Sequence, residues 1–171
     1  MIVFLDIDGV MVHANPHRKV ELENDGFYKF NDIAVNILKS TLYSTKDEIV
    51  LSTSHRFKYD ISEWKEIFHR RGLKFKNIHI LDVYETSDNI NNTYPRVSRK
   101  TEIFSYITIR NIKTEDVVII DDDKSLNDLP SILKERLVLT NPYLGLNDQD
   151  EIKAVLKRKI KKKVKGNFLN S

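Results

Sequence analysis

Five short apolar runs punctuate the chain: IVFL (2–5), EIVLS (48–52), NIHIL (77–81), VVII (117–120) and RLVLT (136–140). Consecutive Ile, Val and Leu side chains suit strands buried on both faces, unlike the alternation of a half-exposed sheet. Helical periodicity fills the segments between them. Asn31 opens a run that sets Ile33, Ala34, Ile37 and Leu38 on one face. Asp60 and Glu63 form a capping-box pattern ahead of Trp64, Ile67 and Phe68, and Gly72 ends that helix. Ser98 is placed to cap a helix carrying Ile103, Phe104 and Ile107, and a last helix is predicted over roughly 148–163. Strands alternating with helices predict a three-layer α/β domain around a five-stranded parallel sheet.

In such a sheet the ligand lies beyond the carboxyl ends of the strands. Asp6 and Asp8 follow the first run, Ser52, Thr53 and Ser54 the second, and Asp121, Asp122 and Asp123 the fourth. Lys100, near the start of a helix, can reach the same edge. Asp6 and Asp8 crowd two like charges at the lip of the sheet, which is unfavourable unless a cation or a shared proton relieves it.

Composition narrows the options. At 171 residues the chain suits one domain, and its lack of cysteine excludes disulfides, thiolate metal sites and a cysteine nucleophile. No apolar run approaches the ~18 residues of a membrane span, and MIVFL meets Asp6 without a basic stretch before it, so a cytoplasmic protein is expected. The net charge of +3 conceals an asymmetry: residues 1–156 carry 21 of the 28 basic side chains and all 25 acids, a balance of −4. The remaining seven basic residues follow Leu156 with no acid among them. That end can contact nucleic acid. A solvated helix face is the simpler account, because Ile152, Leu156, Ile160 and Val164 recur every four residues among the lysines. The expected organisation is one domain over 1–165, ending in a basic segment at 157–171.

The ordered set DIDGV, VLSTS, a helix-opening Arg or Lys, and VVIIDDD resembles the four motifs of haloacid dehalogenase (HAD) superfamily phosphotransferases. LSTSHR, SRKTEI and LTNPYLGLNDQD resemble, more narrowly, the HAD domain of Swiss Army Knife RNA repair proteins. The resemblance implies a Rossmann-like HAD fold and Mg²⁺ as cofactor. Alignment with the superfamily's last motif makes Asp122 a metal ligand, has Asp121 orient it or the metal waters, and leaves Asp123 toward solvent. The motif-three cation stays open: the superfamily pattern favours Lys100, whereas the RxxEI spacing of the narrower family points to Arg99.

The chemistry also follows from the residues. Mg²⁺ takes oxygen ligands and keeps several waters, so one or two carboxylates with a substrate phosphate suffice. Asp6 and an aspartate after the fourth run supply these, and the Asp8 carbonyl a third ligand. Asp6 then attacks phosphorus in line, while Asp8 protonates the leaving alkoxide and later activates water. Ser52 donates to a phosphoryl oxygen, and Arg99 or Lys100 offsets charge. Thr53, His55 and Arg56 stand where they can hold the substrate phosphate, with helix-cap or surface roles as the alternative.

VVIIDDDKSLNDL taken alone resembles a receiver domain, but too few residues follow it to complete one. The rival from another class is a non-catalytic HAD-like module binding nucleic acid or protein. Such a module has no reason to keep Asp6, Asp8, Ser52 and Asp122 together. Residues 9–47 hold a flap and one helix, so little or no cap domain is expected, which opens the site to bulky phosphorylated substrates. With the narrower resemblance and the basic end, a nucleic-acid phosphate is the leading candidate, and a small phosphorylated metabolite is the alternative if the protein dimerises and closes the site. The Asn-rich stretch 84–99 has the look of a substrate-contacting loop. Nothing in the sequence sets the oligomeric state.

Overall fold

The computed structural model describes residues 1–82 and 97–157. Five parallel strands form one sheet: β1 (Ile2–Leu5), β2 (Glu48–Leu51), β3 (Asn77–Ile80), β4 (Val117–Asp121) and β5 (Leu137–Leu139). Their order is β3-β2-β1-β4-β5, so the chain reverses its direction of travel across the sheet between β1 and β4. This is the expected α/β, HAD Rossmann-like architecture. The helices are α1 (Asp32–Thr41), α2 (Ile61–Arg70), α3 (Arg99–Ile109), the single turn α4 (Ser131–Lys134), and α5 (Gln149–Lys157).

The central strands β1, β2 and β4 are apolar on both faces because each face carries helices. Val3, Leu5, Ile49, Leu51, Val118 and Ile120 point to one side and pack with residues of α1, α2 and α5. Phe4, Val50, Val117 and Ile119 point to the other and meet Ile103, Tyr106 and Ile107 of α3. Strand alternation thus builds two cores from one continuous apolar run.

The caps behave as the sequence predicts. Asn31 accepts from the Ile33 N–H, Asp60 and Glu63 form a reciprocal capping box, and the Ser98 side chain accepts from the Thr101 N–H. Two helix-face assignments are corrected. Ile33 and Phe104 are exposed, while Ala34, Val35, Ile37 and Leu38 of α1 and Ile103, Tyr106 and Ile107 of α3 are buried. At ~100° per residue, Ile33 and Phe104 each lie more than about 100° from the centre of the buried arc. The part of the last helix beyond Lys157, with Ile160 and Val164, and the loop 84–96 fall outside the described residues.

Hydrogen bonds at the carboxyl ends of the strands set the row on which the site stands. The Asp6 N–H donates to Ile120 O, the Ser52 N–H to Leu5 O, and the Thr140 N–H to Asp121 O. These three bonds align residues 6, 52, 121 and 140 on one edge. Between β1 and α1 a flap turns back as a short hairpin, in which Lys29 N–H donates to Glu21 O and Glu23 N–H to Phe27 O.

Candidate active site

Asp6 leaves β1 nearly buried, and its Oδ1 accepts from the N–H of Ile7 at 2.7 Å, which fixes the rotation of the carboxylate. The chain then turns tightly, with the N–H groups of Val10, Met11 and Val12 all directed at Ile7 O. Gly9 makes this turn possible at φ +72°. Thr140 Oγ1 donates to Gly9 O at 2.6 Å, and Leu146 N–H to Val10 O at 2.8 Å, so the loop after β5 anchors the turn. Asp122 lies against the bare face of Gly9.

Asp6, Asp121 and Asp122 each direct a carboxylate oxygen to within 4.8 Å of the other two. Asp121 is fully buried and fully engaged. Its Oδ2 accepts from Arg99 Nη1 at 3.0 Å and from Ser52 Oγ at 3.3 Å, while Oδ1 accepts from the Asp123 N–H. Asp122 is half-buried, and among the described residues no other side chain donates to it. A supporting Asp121 and a free Asp122 are what the geometry presents. Asp123 is not left to solvent: its carboxylate caps the 3₁₀ turn Lys124–Asp128 through the Ser125 N–H.

Arg99 brings its positive charge to the buried acids. Arg99 opens α3 and aims Nη1 between Asp121 and Asp6, the latter at 3.8 Å, while its Nε faces Glu102 at 3.6 Å. The i,i+3 carboxylate of Glu102 therefore orients the guanidinium. Burial works against the Arg99 charge, but Asp121, Asp6 and Glu102 hold its pKa raised. Lys100 meets this edge through its backbone N–H, which donates to Ser125 Oγ at 3.4 Å.

Around β2 the structure redistributes the expected roles. Ser52 is buried, with its hydroxyl turned onto Asp121. Thr53 Oγ1 accepts from the His55 N–H and caps the local turn. Arg56 does not point at the site. Its guanidinium donates to Leu81 O, Ser52 O and Thr53 O and pairs with Glu102. Those bonds tie the β2 and β3 ends to α3 and leave it little capacity for a phosphate. His55 Nε2 lies 2.9 Å from Asp8 Oδ2. The Asp8 carboxylate is not among the three that share the cluster.

Electrostatically the cluster is short of positive charge. Burial pushes Asp6 up to about 6, with Asp122 and Asp8 adding to it, burial with Asp6 pushes Asp121 to about 7, and burial with Asp121 pushes Asp122 up to about 6. Three crowded carboxyls facing one guanidinium favour the neutral form until a further cation arrives. Their donor set, all oxygen and no nitrogen or sulfur, fits a hard divalent ion. The cluster can therefore hold a metal.

Sequence reasoning quoted Glu102 within RxxEI without giving it a role, and it missed Thr140 and the partner of His55. Glu102 carried a signal in its i,i+3 spacing from Arg99. Thr140 and the His55–Asp8 contact join residues far apart in the chain, and no local pattern marks them.

The model for the HAD domain in Swiss Army Knife RNA repair proteins matches residues 2–151. No curated protein and no solved structure matches the chain. The match spans every strand and all the acids described above, and HAD membership implies a phosphatase-type function. The chain belongs to the family of HAD domains found in Swiss Army Knife RNA repair proteins.

Proposed function

We propose that the protein is a Mg²⁺-dependent phosphatase that forms an aspartyl-phosphate on Asp6 and acts on phosphorylated nucleic-acid ends. The observation that carries the reading is the convergence of Asp6, Asp121 and Asp122 on one edge, with Asp8 two residues from the nucleophile. Phosphoryl transfer depends chiefly on positioning and charge neutralisation, and this edge supplies both.

Asp6, Asp122 and the Asp8 carbonyl would hold the ion, which neutralises phosphate charge when bound. An Asp6 oxygen attacks phosphorus, and the bond from phosphorus to the ester oxygen breaks. Asp8 gives its proton to that oxygen, and the alcohol leaves. Asp8, now a carboxylate, takes a proton from water as the water oxygen attacks the aspartyl-phosphate. Inorganic phosphate departs, and Asp6 returns with both oxygens. Arg99 stays fixed by Asp121 throughout, holding positive charge beside the nucleophile. Ser52 can turn its hydroxyl from Asp121 to a phosphoryl oxygen.

Three features support a nucleic-acid end as substrate. The family is described by its occurrence in RNA repair proteins. Among the described residues, the insertion after Asp8 amounts to the small flap over 13–30, which leaves the strand edge accessible to a bulky substrate. The chain also ends in the seven basic residues after Leu156, suited to a polyanion.

A substrate panel tests the proposal. With Mg²⁺ the protein should release phosphate from an aryl phosphate and, at higher kcat/KM, from 3′- or 5′-phosphorylated oligonucleotides. EDTA should abolish both activities. Deleting residues 157–171 should weaken oligonucleotide binding and flatten its salt dependence, the slope falling by about 0.7 for each single-strand phosphate that the basic segment neutralises. Binding without turnover would reduce the protein to a HAD-like binding module. Turnover of the aryl phosphate alone would remove nucleic acid from the reading.

A further inference from the structure

We propose that His55 is a positioning residue that fixes the Asp8 carboxylate for proton transfer, and that the flap serves to hold His55. The inference rests on the acid–base role assigned to Asp8 above.

Asp8 stands outside the three-acid cluster. It sits in a tight turn, and its side chain is 36% exposed. Among the described residues the contact it makes is with His55 Nε2, at 2.9 Å from Oδ2. A carboxylate so exposed would otherwise sample several staggered rotamers, and a general acid works only within hydrogen-bond reach of the oxygen it protonates. One ring nitrogen on Oδ2 selects a rotamer and leaves Oδ1 free for the substrate.

His55 is itself held on three sides. Its backbone N–H donates to Thr53 Oγ1 at 3.3 Å. Its ring meets two flap aromatics nearly at right angles: Tyr28 at 5.3 Å between centroids and Phe27 at 5.8 Å. The flap in turn is clamped to α2. Arg71, nearly buried just past the end of α2, pairs with both oxygens of Asp25 at 2.7 and 2.9 Å. Its Nε donates to Tyr28 O at 2.6 Å, and Phe27 packs against Trp64 at 5.2 Å. A bidentate Arg–carboxylate pair is a specific, geometrically rigid tie. The line from Arg71 through Asp25, Phe27 and Tyr28 to His55 ends at the acid–base residue.

A packing role alone would need the ring and no nitrogen at this place. The Nε2 is instead directed at the one carboxylate assigned to proton transfer, while the ring packs at near right angles on Tyr28 and Phe27.

The test compares His55→Ala and His55→Gln on phenyl phosphate and 4-nitrophenyl phosphate, with Mg²⁺, following melting temperature alongside. Phenolate is the poorer leaving group and depends more on its proton donor. For His55→Ala, kcat/KM should fall about tenfold or more on phenyl phosphate and under about threefold on 4-nitrophenyl phosphate. Glutamine places an amide N–H near the position of Nε2 and should recover most of the loss. On an Asp8→Asn background, His55→Ala should change kcat/KM by less than about twofold, because coupled residues act as a unit. Equal losses on the two substrates, or a glutamine variant no better than alanine, would overturn the proposal. Should Asp8→Asn itself turn over both substrates at the wild-type rate, the acid–base reading fails first. An Asp8-dependent enzyme indifferent to His55 would sink the positioning role alone.

Discussion

Gly9 and Asp122 occupy one another's space: a Cβ on Gly9 would stand 2.2 Å from Asp122 Oδ2 and 2.4 Å from its carboxyl carbon. The glycine after the second aspartate therefore does two things. It adopts the positive φ that the turn requires, and it clears the volume from which Asp122 faces Asp6.

These two contributions separate experimentally. Gly26 also has positive φ, at 78°, but nothing lies within 4 Å of its absent Cβ. Gly26→Ala should lower stability by roughly 1–2 kcal/mol through backbone strain alone and leave metal affinity unchanged. Gly9→Ala adds displacement of Asp122 to the same strain. It should raise the Mg²⁺ concentration for half-maximal activity by about tenfold or more, worth at least ~1.4 kcal/mol. Melting curves and Mg²⁺ titrations of the two variants make the comparison.

The strand edge was legible from sequence because apolar runs and the polar residues behind them are local signals. Asp6, Ser52 and Asp121 each end or follow such a run, and parallel pairing brings them into register without further information. Contacts between loops were not legible. Arg56 reads as a phosphate ligand because it follows the Ser-Thr-Ser stretch, yet its guanidinium finds carbonyls of residues 52, 53 and 81 and the carboxylate of Glu102. That outcome depends on where α3 lies over the sheet, which no pattern within residues 52–56 encodes. Ile33 and Phe104 fail for a related reason. Hydrophobicity places a residue on a helix, but the helix's roll against the sheet decides which side is covered.

Arg99 and Lys100 differ in what their loss leaves behind. Arg99→Ala strips Asp121 and Asp6 of their nearest cation, and a buried carboxylate without its partner is costly. kcat should fall by about 10²–10³, as for loss of a single charge-stabilising donor. Arg99→Lys should recover only part, since one ammonium cannot face both Asp121 and Glu102 as the guanidinium does. Lys100→Ala should cost far less than Arg99→Ala. Steady-state kinetics of the three variants checks the order, and a larger loss at Lys100 would reverse the assignment.

Protons and metal should compete at the three-acid cluster. Asp6 and Asp122 are raised to about 6 and Asp121 to about 7, so the folded chain binds more protons than the unfolded one above the ordinary 3.8. Their contribution to metal-free stability is present below 3.8 and is lost as pH rises through about 6 to 7. Mg²⁺ requires the carboxylates deprotonated and acts in the opposite direction. At a hundredfold excess over Kd it should add about 2.7 kcal/mol near pH 7.5, or roughly 5–10 °C in melting temperature. The gain should shrink markedly at pH 5. A shift equal at both pH values would mean that the ion binds elsewhere.

Asp6 as the covalent nucleophile is the centre of the proposed chemistry. Asp8→Asn slows the water step by removing its base, which should let the phosphoenzyme accumulate. Acid-quenching this variant with a phosphorylated substrate and Mg²⁺, followed by peptide mass analysis, should find one phosphoryl group on Asp6 of MIVFLDIDGV. Asp6→Asn should yield neither label nor turnover while melting as a folded protein. Turnover by Asp6→Asn at the wild-type rate, or a phosphoryl group found on another residue, would contradict the covalent mechanism.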